Sequence, residues 1–210
     1  MLLLILSALV IASAVFHLRA EYRGSRRSVY LFKPLTIIFI ILIAALRKNP
    51  ASEFYRYAIV AGLVFSLAGD IFLMLPRDRF IAGLASFLLA HLFYIAAFTL
   101  EGVRAPDPLY ALPFAVYGVV MLRVLLPGLG RLKAPVIIYM LVIMLMAWQA
   151  LERWMTTAQQ GSAQAFMGAL LFVISDSVLA LNRFKRPLPS AQLYIMTTYF
   201  TAQWLIALST

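Results

Sequence analysis

The chain has 210 residues, of which 64% are hydrophobic and 12% are charged, and its formal net charge is +10. Soluble domains are about 45–50% apolar and about 25% charged, so this composition excludes a disordered chain or a nucleic-acid-binding domain and argues against any soluble globule. The absence of cysteine excludes disulfides, thiolate catalysis and cysteine-bound metal. With only two histidines, His17 and His91, a zinc site of three histidines is also excluded.

The apolar segments have the length of membrane spans. A spanning helix needs about 20 mostly apolar residues, and eight of them fit within this chain. We therefore predict an all-α, polytopic membrane protein, a bundle of about eight transmembrane helices in a single domain over residues 1–210. The predicted spans are residues 1–18, 33–46, 55–75, 80–100, 108–126, 134–150, 163–182 and 191–208.

Basic residues indicate the orientation and the ends of the spans. The odd-numbered loops hold 13 of the 18 Lys and Arg residues, which predicts that these loops are cytoplasmic and that both termini are external. No basic segment precedes the first span, so we interpret it as a span and not as a secretory signal. The second span is short, and we expect Lys33 and Arg47 to mark its ends by extending toward the interface.

Two segments of the chain resemble each other. Residues 61–75 and 167–181 match at an offset of 106, which suggests two four-helix repeats, 1–105 and 106–210, although apolar helices also match by chance. Parallel repeats are related by an axis along the membrane normal, and such an axis would bring the matched aspartates to the same depth. At this offset Gly62 matches Gly168, Asp70 matches Asp176, Leu73 matches Leu179 and Leu75 matches Leu181. The following loop differs by six residues, so the offset becomes 112, and Phe87 then matches Tyr199 and His91 matches Gln203.

Asp70, His91 and Asp176 are acidic or histidine residues that lie well inside the predicted spans, away from their ends. Such residues cost several kcal/mol in a membrane and usually face the bundle interior or a water-filled cavity, so they are candidates for function. The other acidic residues, including Glu152, sit in or beside loops, where we expect them to be solvated. Lys33 lies near the level of the two aspartates, where it would either bind a lipid phosphate or simply extend to the interface.

Paired carboxyl groups suit acid–base chemistry. Two buried carboxyls close together do not easily both ionise, which leaves one acid to donate a proton and one carboxylate to accept one. This division of labour serves the cleavage of C–O bonds through an oxocarbenium-like transition state. No G-x-S-x-G motif is present, which argues against a serine hydrolase. A metal bound by Asp70, His91 and Asp176 is a further possibility.

Several short motifs, in order and spacing, resemble those of the YhhN family of integral membrane proteins, and the match runs from about residue 30 to 208. They are Lys33-Pro34-Leu35-Thr36, Gly69-Asp70 followed by Phe72-Leu73-Met74, Phe80-x-x-Gly83-x-x-x-Phe87-x-x-x-His91-x-x-Tyr94, Ser175-Asp176-Ser177 and Tyr199-x-x-x-Gln203-x-Leu205-Ile206. The family's characterised members are lysoplasmalogenases. The resemblance therefore implies hydrolysis of the vinyl ether bond of a lysoplasmalogen to a fatty aldehyde and a glycerophospho-head group.

The resemblance also implies roles for individual residues. The family is described as acting without a metal cofactor, with intramembrane aspartates as the catalytic residues, which points to Asp70 and Asp176. The expected partners are a lysophospholipid substrate and membrane lipid, with no nucleic acid, in a multi-pass protein of the bacterial inner membrane. The residues expected to position water or the head group are His91, Tyr94, Tyr199 and Gln203, with Lys33 attracting the phosphate.

Two other functions fit parts of the sequence. A transporter or flippase for a lipid or small polar solute would also use internal repeats and buried carboxylates, although the spans are not visibly broken at mid-depth. A structural or interaction protein of the membrane would leave the two aspartates unexplained. The oligomeric state is open, because apolar surface on such a chain faces lipid and does not indicate an interface.

Overall fold

A computed structural model describes residues 1–48, 50–76, 78–99, 107–157 and 159–210. Arg77 and Arg104, which are among the basic residues counted in the loops, lie outside these ranges. So does Glu101, one of the acidic residues expected in or beside a loop. Two 3₁₀ turns, Leu126–Gly128 and Gly130–Leu132, connect the fifth and sixth helices. The helices are α1 (Leu2–Tyr22), α2 (Arg26–Leu46), α3 (Glu53–Met74), α4 (Phe80–Thr99), α5 (Pro108–Leu125), α6 (Lys133–Thr157), α7 (Ser162–Phe184) and α8 (Ala191–Leu208).

The predicted polytopic helical bundle is confirmed. Seven helices of the described chain, α1 to α7, are long and apolar enough to cross a membrane. The eighth, α8, has 18 residues and carries several threonines, tyrosines and glutamines along its length. It packs mainly against α7 and also against α2 and α1. Its Tyr199 and Gln203 side chains are buried inside the bundle, whereas Gln192 and Tyr194 are exposed.

Two predicted helix ends are wrong, and both corrections move charged residues into the bundle. Helix α2 begins at Arg26, so Lys33 lies two full turns inside the helix with only 7% of its surface exposed, and it does not extend to the interface. Helix α6 continues to Thr157, which buries Glu152 completely. The Glu152 carboxylate accepts a hydrogen bond from the Asp107 backbone N–H at 3.0 Å, so it is not a solvated loop charge.

The helices pack in corresponding pairs in the two halves of the chain. Helix α3 packs along α4 and α7 along α8, while α2 contacts α8 and α6 contacts α4. Gly62 and Gly168 lie at close contacts between the helices of each pair: a Cβ at Gly168 would lie 2.8 Å from the carbonyl oxygen of Ala202, and one at Gly62 would overlap the Tyr94 ring. Small residues permit such close packing between membrane helices. The internal repeat stays a prediction, which this correspondence supports.

Candidate active site

The first carboxyl group of the site is Asp70, in the last two turns of α3. Its side chain is almost completely buried and forms an ion pair with Lys33 of α2, with 3.0 Å between Nζ and Oδ1. The Tyr199 hydroxyl of α8 donates a hydrogen bond to Oδ2 at 2.7 Å. Three helices therefore fix this carboxyl group, and the Lys33 ammonium neutralises its charge.

The second carboxyl group is Asp176, in α7, and its surroundings are different. The hydroxyl of Tyr139, from α6, donates a hydrogen bond to Oδ2. Among the described residues, no Lys, Arg or His nitrogen lies within ion-pair distance of Asp176. One carboxyl group thus has a cationic partner and the other has a neutral one.

Both carboxyl groups line one cavity of about 430 Å³. Most of the cavity wall is hydrocarbon and aromatic, contributed chiefly by α6 and α7 with parts of α3, α4, α5 and α8. The polar groups at the end of the cavity nearest the loops include Asn182, Arg183 and Gln192. Its volume and lining suit an amphiphile whose apolar part lies beside the two carboxyl groups.

Tyr199 and Lys33 also line this cavity, whereas the other three predicted substrate-binding residues lie behind its wall. The Tyr94 hydroxyl donates to the Gln203 amide oxygen at 2.7 Å, and both side chains are fully buried. His91 is fully buried as well, and its ring centroid lies 5.3 Å from that of Tyr139 and 4.7 Å from that of Phe172. These three residues support the cavity wall, and His91 packs against the tyrosine that binds Asp176.

The structure does not group the ionisable residues as metal ligands. Within the described ranges, no three His, Asp or Glu side chains lie close enough together to hold a metal ion. The nitrogens of His91 have no hydrogen-bond partner among those residues and are enclosed by aromatic rings. A metal centre built from Asp70, His91 and Asp176 therefore has no geometric support.

Tyr139 is the site residue that sequence reasoning missed. An uncharged tyrosine in an apolar span is unremarkable by composition, since its ring packs like other aromatic side chains. The repeat offset nevertheless points to it: Tyr139 follows Lys33 by 106 residues, as Asp176 follows Asp70. The two contacts, Lys33 with Asp70 and Tyr139 with Asp176, therefore occupy corresponding positions in the two halves.

Comparison with known proteins identifies relatives across nearly the whole chain. The chain is 30% identical over 203 residues to the uncharacterised membrane protein YhhN of Escherichia coli O157:H7, an alignment covering 95% of each protein. It is 41% identical over 165 residues to human lysoplasmalogenase TMEM86B, which covers 74% of this chain and 64% of the relative. Human lysoplasmalogenase TMEM86A is 36% identical over 162 residues, an alignment that covers 72% of this chain and 64% of the relative. No solved structure matches significantly.

The family assignment rests on a match that contains every polar residue of the cavity described above. The sequence model of the YhhN family matches residues 28–210, which include both aspartates and the Lys33 and Tyr139 side chains that bind them. The chain is therefore a member of the YhhN family of membrane proteins.

Proposed function

We propose that this protein is a lysoplasmalogenase-like ether hydrolase, which cleaves the vinyl ether bond of a lysoplasmalogen to a fatty aldehyde and a glycerophospho-head group. The observation that carries this proposal is the placement of Asp70 and Asp176 on one apolar cavity with unlike partners. The relatives named lysoplasmalogenase, at 36–41% identity for the human proteins, support the reaction class.

The unlike partners support different roles for the two carboxyl groups. A buried carboxylate is stable only when a counter-charge accompanies it, and Asp70 has one in Lys33. Asp176 has a neutral phenol instead, so in an apolar cavity it is best accommodated as the uncharged acid. Asp176 is therefore the proton donor, and Asp70 is the carboxylate that stabilises positive charge and accepts a proton.

The reaction consumes one water molecule. Asp176 gives its proton to the alkene carbon that is not bonded to the ether oxygen. The other alkene carbon and the oxygen then form an oxocarbenium ion opposite the Asp70 carboxylate. Water adds to the cationic carbon and gives a proton to Asp70, which produces a hemiacetal. The bond between the hemiacetal carbon and the glycerol oxygen then breaks, and Asp70 returns its proton to that departing oxygen. At the same time the hemiacetal hydroxyl proton passes to Asp176. Aldehyde and alcohol leave, and both carboxyl groups regain their starting states.

Aldehyde release from an alkenyl lysolipid by the purified protein in detergent tests the proposal, with a coupled dehydrogenase as the readout. We expect Asp70→Asn and Asp176→Asn each to lower kcat by about 10²–10⁴-fold, the usual contribution of a general acid or base. Asp107→Asn is the matched control, because Asp107 caps α5 far from the cavity and asparagine caps equally well. Near wild-type rates from either folded site variant would rule out the two-carboxyl mechanism.

The same preparation distinguishes the alternative function. Absence of aldehyde from wild-type protein, together with movement of a lipid or solute across liposomes that contain it, would favour a transporter or flippase. Aldehyde release without transport would favour the hydrolase.

A further inference from the structure

A line of hydrogen-bonding groups connects the Asp70 carboxylate to side chains that do not line the cavity. The Tyr199 hydroxyl donates to Asp70 at 2.7 Å, and the Tyr94 hydroxyl donates to the amide oxygen of Gln203, also at 2.7 Å. Tyr199 and Gln203 are one helical turn apart on α8, and their side chains interact. Side chains from α3, α4 and α8 therefore form one continuous chain of polar contacts.

This chain of contacts is enclosed by packed side chains. Tyr94 and Gln203 are fully buried, and Tyr199 is only 3% exposed. The Tyr94 ring stacks on Phe98, with 6.4 Å between centroids, and lies so close to α3 that a Cβ at Gly62 would overlap it. Packing therefore fixes the position of the Tyr94 hydroxyl, and bulk water does not replace its partner.

The Gln203 amide determines where the single proton of the Tyr199 hydroxyl can go. An amide offers an acceptor on one side and a donor on the other. Because Tyr94 donates to the amide oxygen, the nitrogen is the group left for Tyr199, and it has no hydrogen-bond partner of normal geometry among the described residues. A nitrogen that only donates does not accept the Tyr199 proton, so this proton remains in the hydrogen bond to Asp70.

We propose that Tyr94 and Gln203 are positioning residues that direct the Tyr199 hydroxyl toward the Asp70 carboxylate, an inference that deepens the proposed function and rests on it. Asp70 then keeps two donors, the Tyr199 hydroxyl and the Lys33 ammonium, which hold the carboxylate for the step in which positive charge forms. Without the Tyr94 hydroxyl, the Gln203 amide turns over and presents its oxygen to Tyr199. That oxygen competes with Asp70 for the Tyr199 proton.

Tyr94→Phe tests the first part of this inference, because it removes the hydroxyl and keeps the ring. We expect kcat to fall about tenfold, the effect of weakening one hydrogen bond to a charged group, while KM stays unchanged. Tyr55→Phe is the matched control: Tyr55 is 1% exposed and its hydroxyl forms a 2.8 Å hydrogen bond with that of Ser209, at the end of α3 opposite Asp70. The control loses a buried hydrogen bond of the same kind and should keep its kcat.

A second substitution should restore the activity that Tyr94→Phe loses. Gln203→Met in the Tyr94→Phe background removes the competing amide oxygen, and replacing both partners of a buried hydrogen bond by apolar groups is nearly neutral. We expect kcat of the double variant to return to within about threefold of wild type. If Tyr94 and Gln203 only support the packing, the double variant is no more active than Tyr94→Phe, and this result would overturn the inference.

Melting temperatures in detergent separate the positioning role from the reaction. The decreases caused by Tyr94→Phe and Tyr199→Phe should not add in the double variant, because part of the first acts through the Tyr199 hydroxyl. Those of Tyr55→Phe and Tyr199→Phe should add. If no alkenyl lipid yields aldehyde, the proposed function is overturned, while non-additivity still supports the control of Tyr199 by Tyr94. Additive decreases for Tyr94→Phe and Tyr199→Phe would overturn the positioning role.

Discussion

The ammonium of Lys33 lies 3.0 Å from a carboxylate oxygen of Asp70, an ion pair buried between α2 and α3. At the corresponding position of the second half, a phenol replaces the ammonium, where Tyr139 binds Asp176. The two carboxyl groups share a cavity but differ in the charge of their partners. In the proposed mechanism this difference allows one carboxyl group to donate a proton while the other remains a carboxylate, and the first two predictions test it.

Removal of the Lys33 charge should lower both the stability and the activity of the protein. Lys33→Met leaves the Asp70 carboxylate without its counter-charge, a change that costs about 3–5 kcal/mol when a buried pair is broken. We expect the melting temperature in detergent to fall by several degrees and aldehyde release to be lost. In the double variant Lys33→Met/Asp70→Asn both partners are neutral, so stability should recover while activity stays absent. Equal melting temperatures for Lys33→Met and wild type would argue against the ion pair.

The effect of a Tyr139 substitution on kcat should depend on the charge of the new side chain. Tyr139→Phe removes one hydrogen bond to Asp176 and should lower kcat about tenfold. Tyr139→Lys places an ammonium beside Asp176, favours its carboxylate form and should lower kcat about as much as Asp176→Asn does. Tyr139→Met, which has a flexible uncharged side chain, controls for lost packing. If the lysine variant is as active as the methionine variant, Asp176 is not the acid.

Close packing of α7 on α8 should make Gly168 intolerant of a methyl group. A Cβ there would lie 2.8 Å from the Ala202 carbonyl oxygen, so Gly168→Ala must separate the two helices. We expect a loss of about 1–3 kcal/mol, seen as a lower melting temperature. Gly118→Ala is the control, because its Cβ would meet only Met144 at 3.4 Å and alanine favours a helix interior. Equal stability of the two variants would contradict the packing.

The Asp78–Arg183 contact should confer a small, pH-dependent stability on the loop between α3 and α4. A hydrogen bond from Arg183, at 2.9 Å, and one from the Phe80 backbone N–H hold the pKa of Asp78 below its usual value. A lowered carboxyl pKa contributes stability above the unfolded-state pKa, and this contribution is lost as pH falls through the folded-state pKa. Wild type should therefore melt slightly above Asp78→Asn at neutral pH. This small difference should begin to shrink below about pH 4 and be absent once the pH is below the folded-state pKa. A difference that grows on acidification would contradict this assignment.

The sequence by itself determined the class of the protein and its most informative residues. Long apolar segments can satisfy their backbone hydrogen bonds in lipid only as helices, so hydropathy alone predicts the bundle. An aspartate within such a segment is costly, so Asp70 and Asp176 stand out without any knowledge of their neighbours. The helix ends were less predictable: Lys33 and Glu152 carry charges that favour an interface or a loop, yet each is buried beside a partner from a different part of the chain.

Only the tertiary structure decided which residues work together. Lys33 and Asp70 lie on different helices, and Tyr199, which completes the group, comes from α8. Periodicity shows which face of a helix is polar but not which other helix covers that face, so it predicts neither these contacts nor Tyr139. The packing of α6 and α7 with the other helices brings the two aspartates to one cavity, and their unlike partners there are the basis of the proposed assignment of acid and carboxylate.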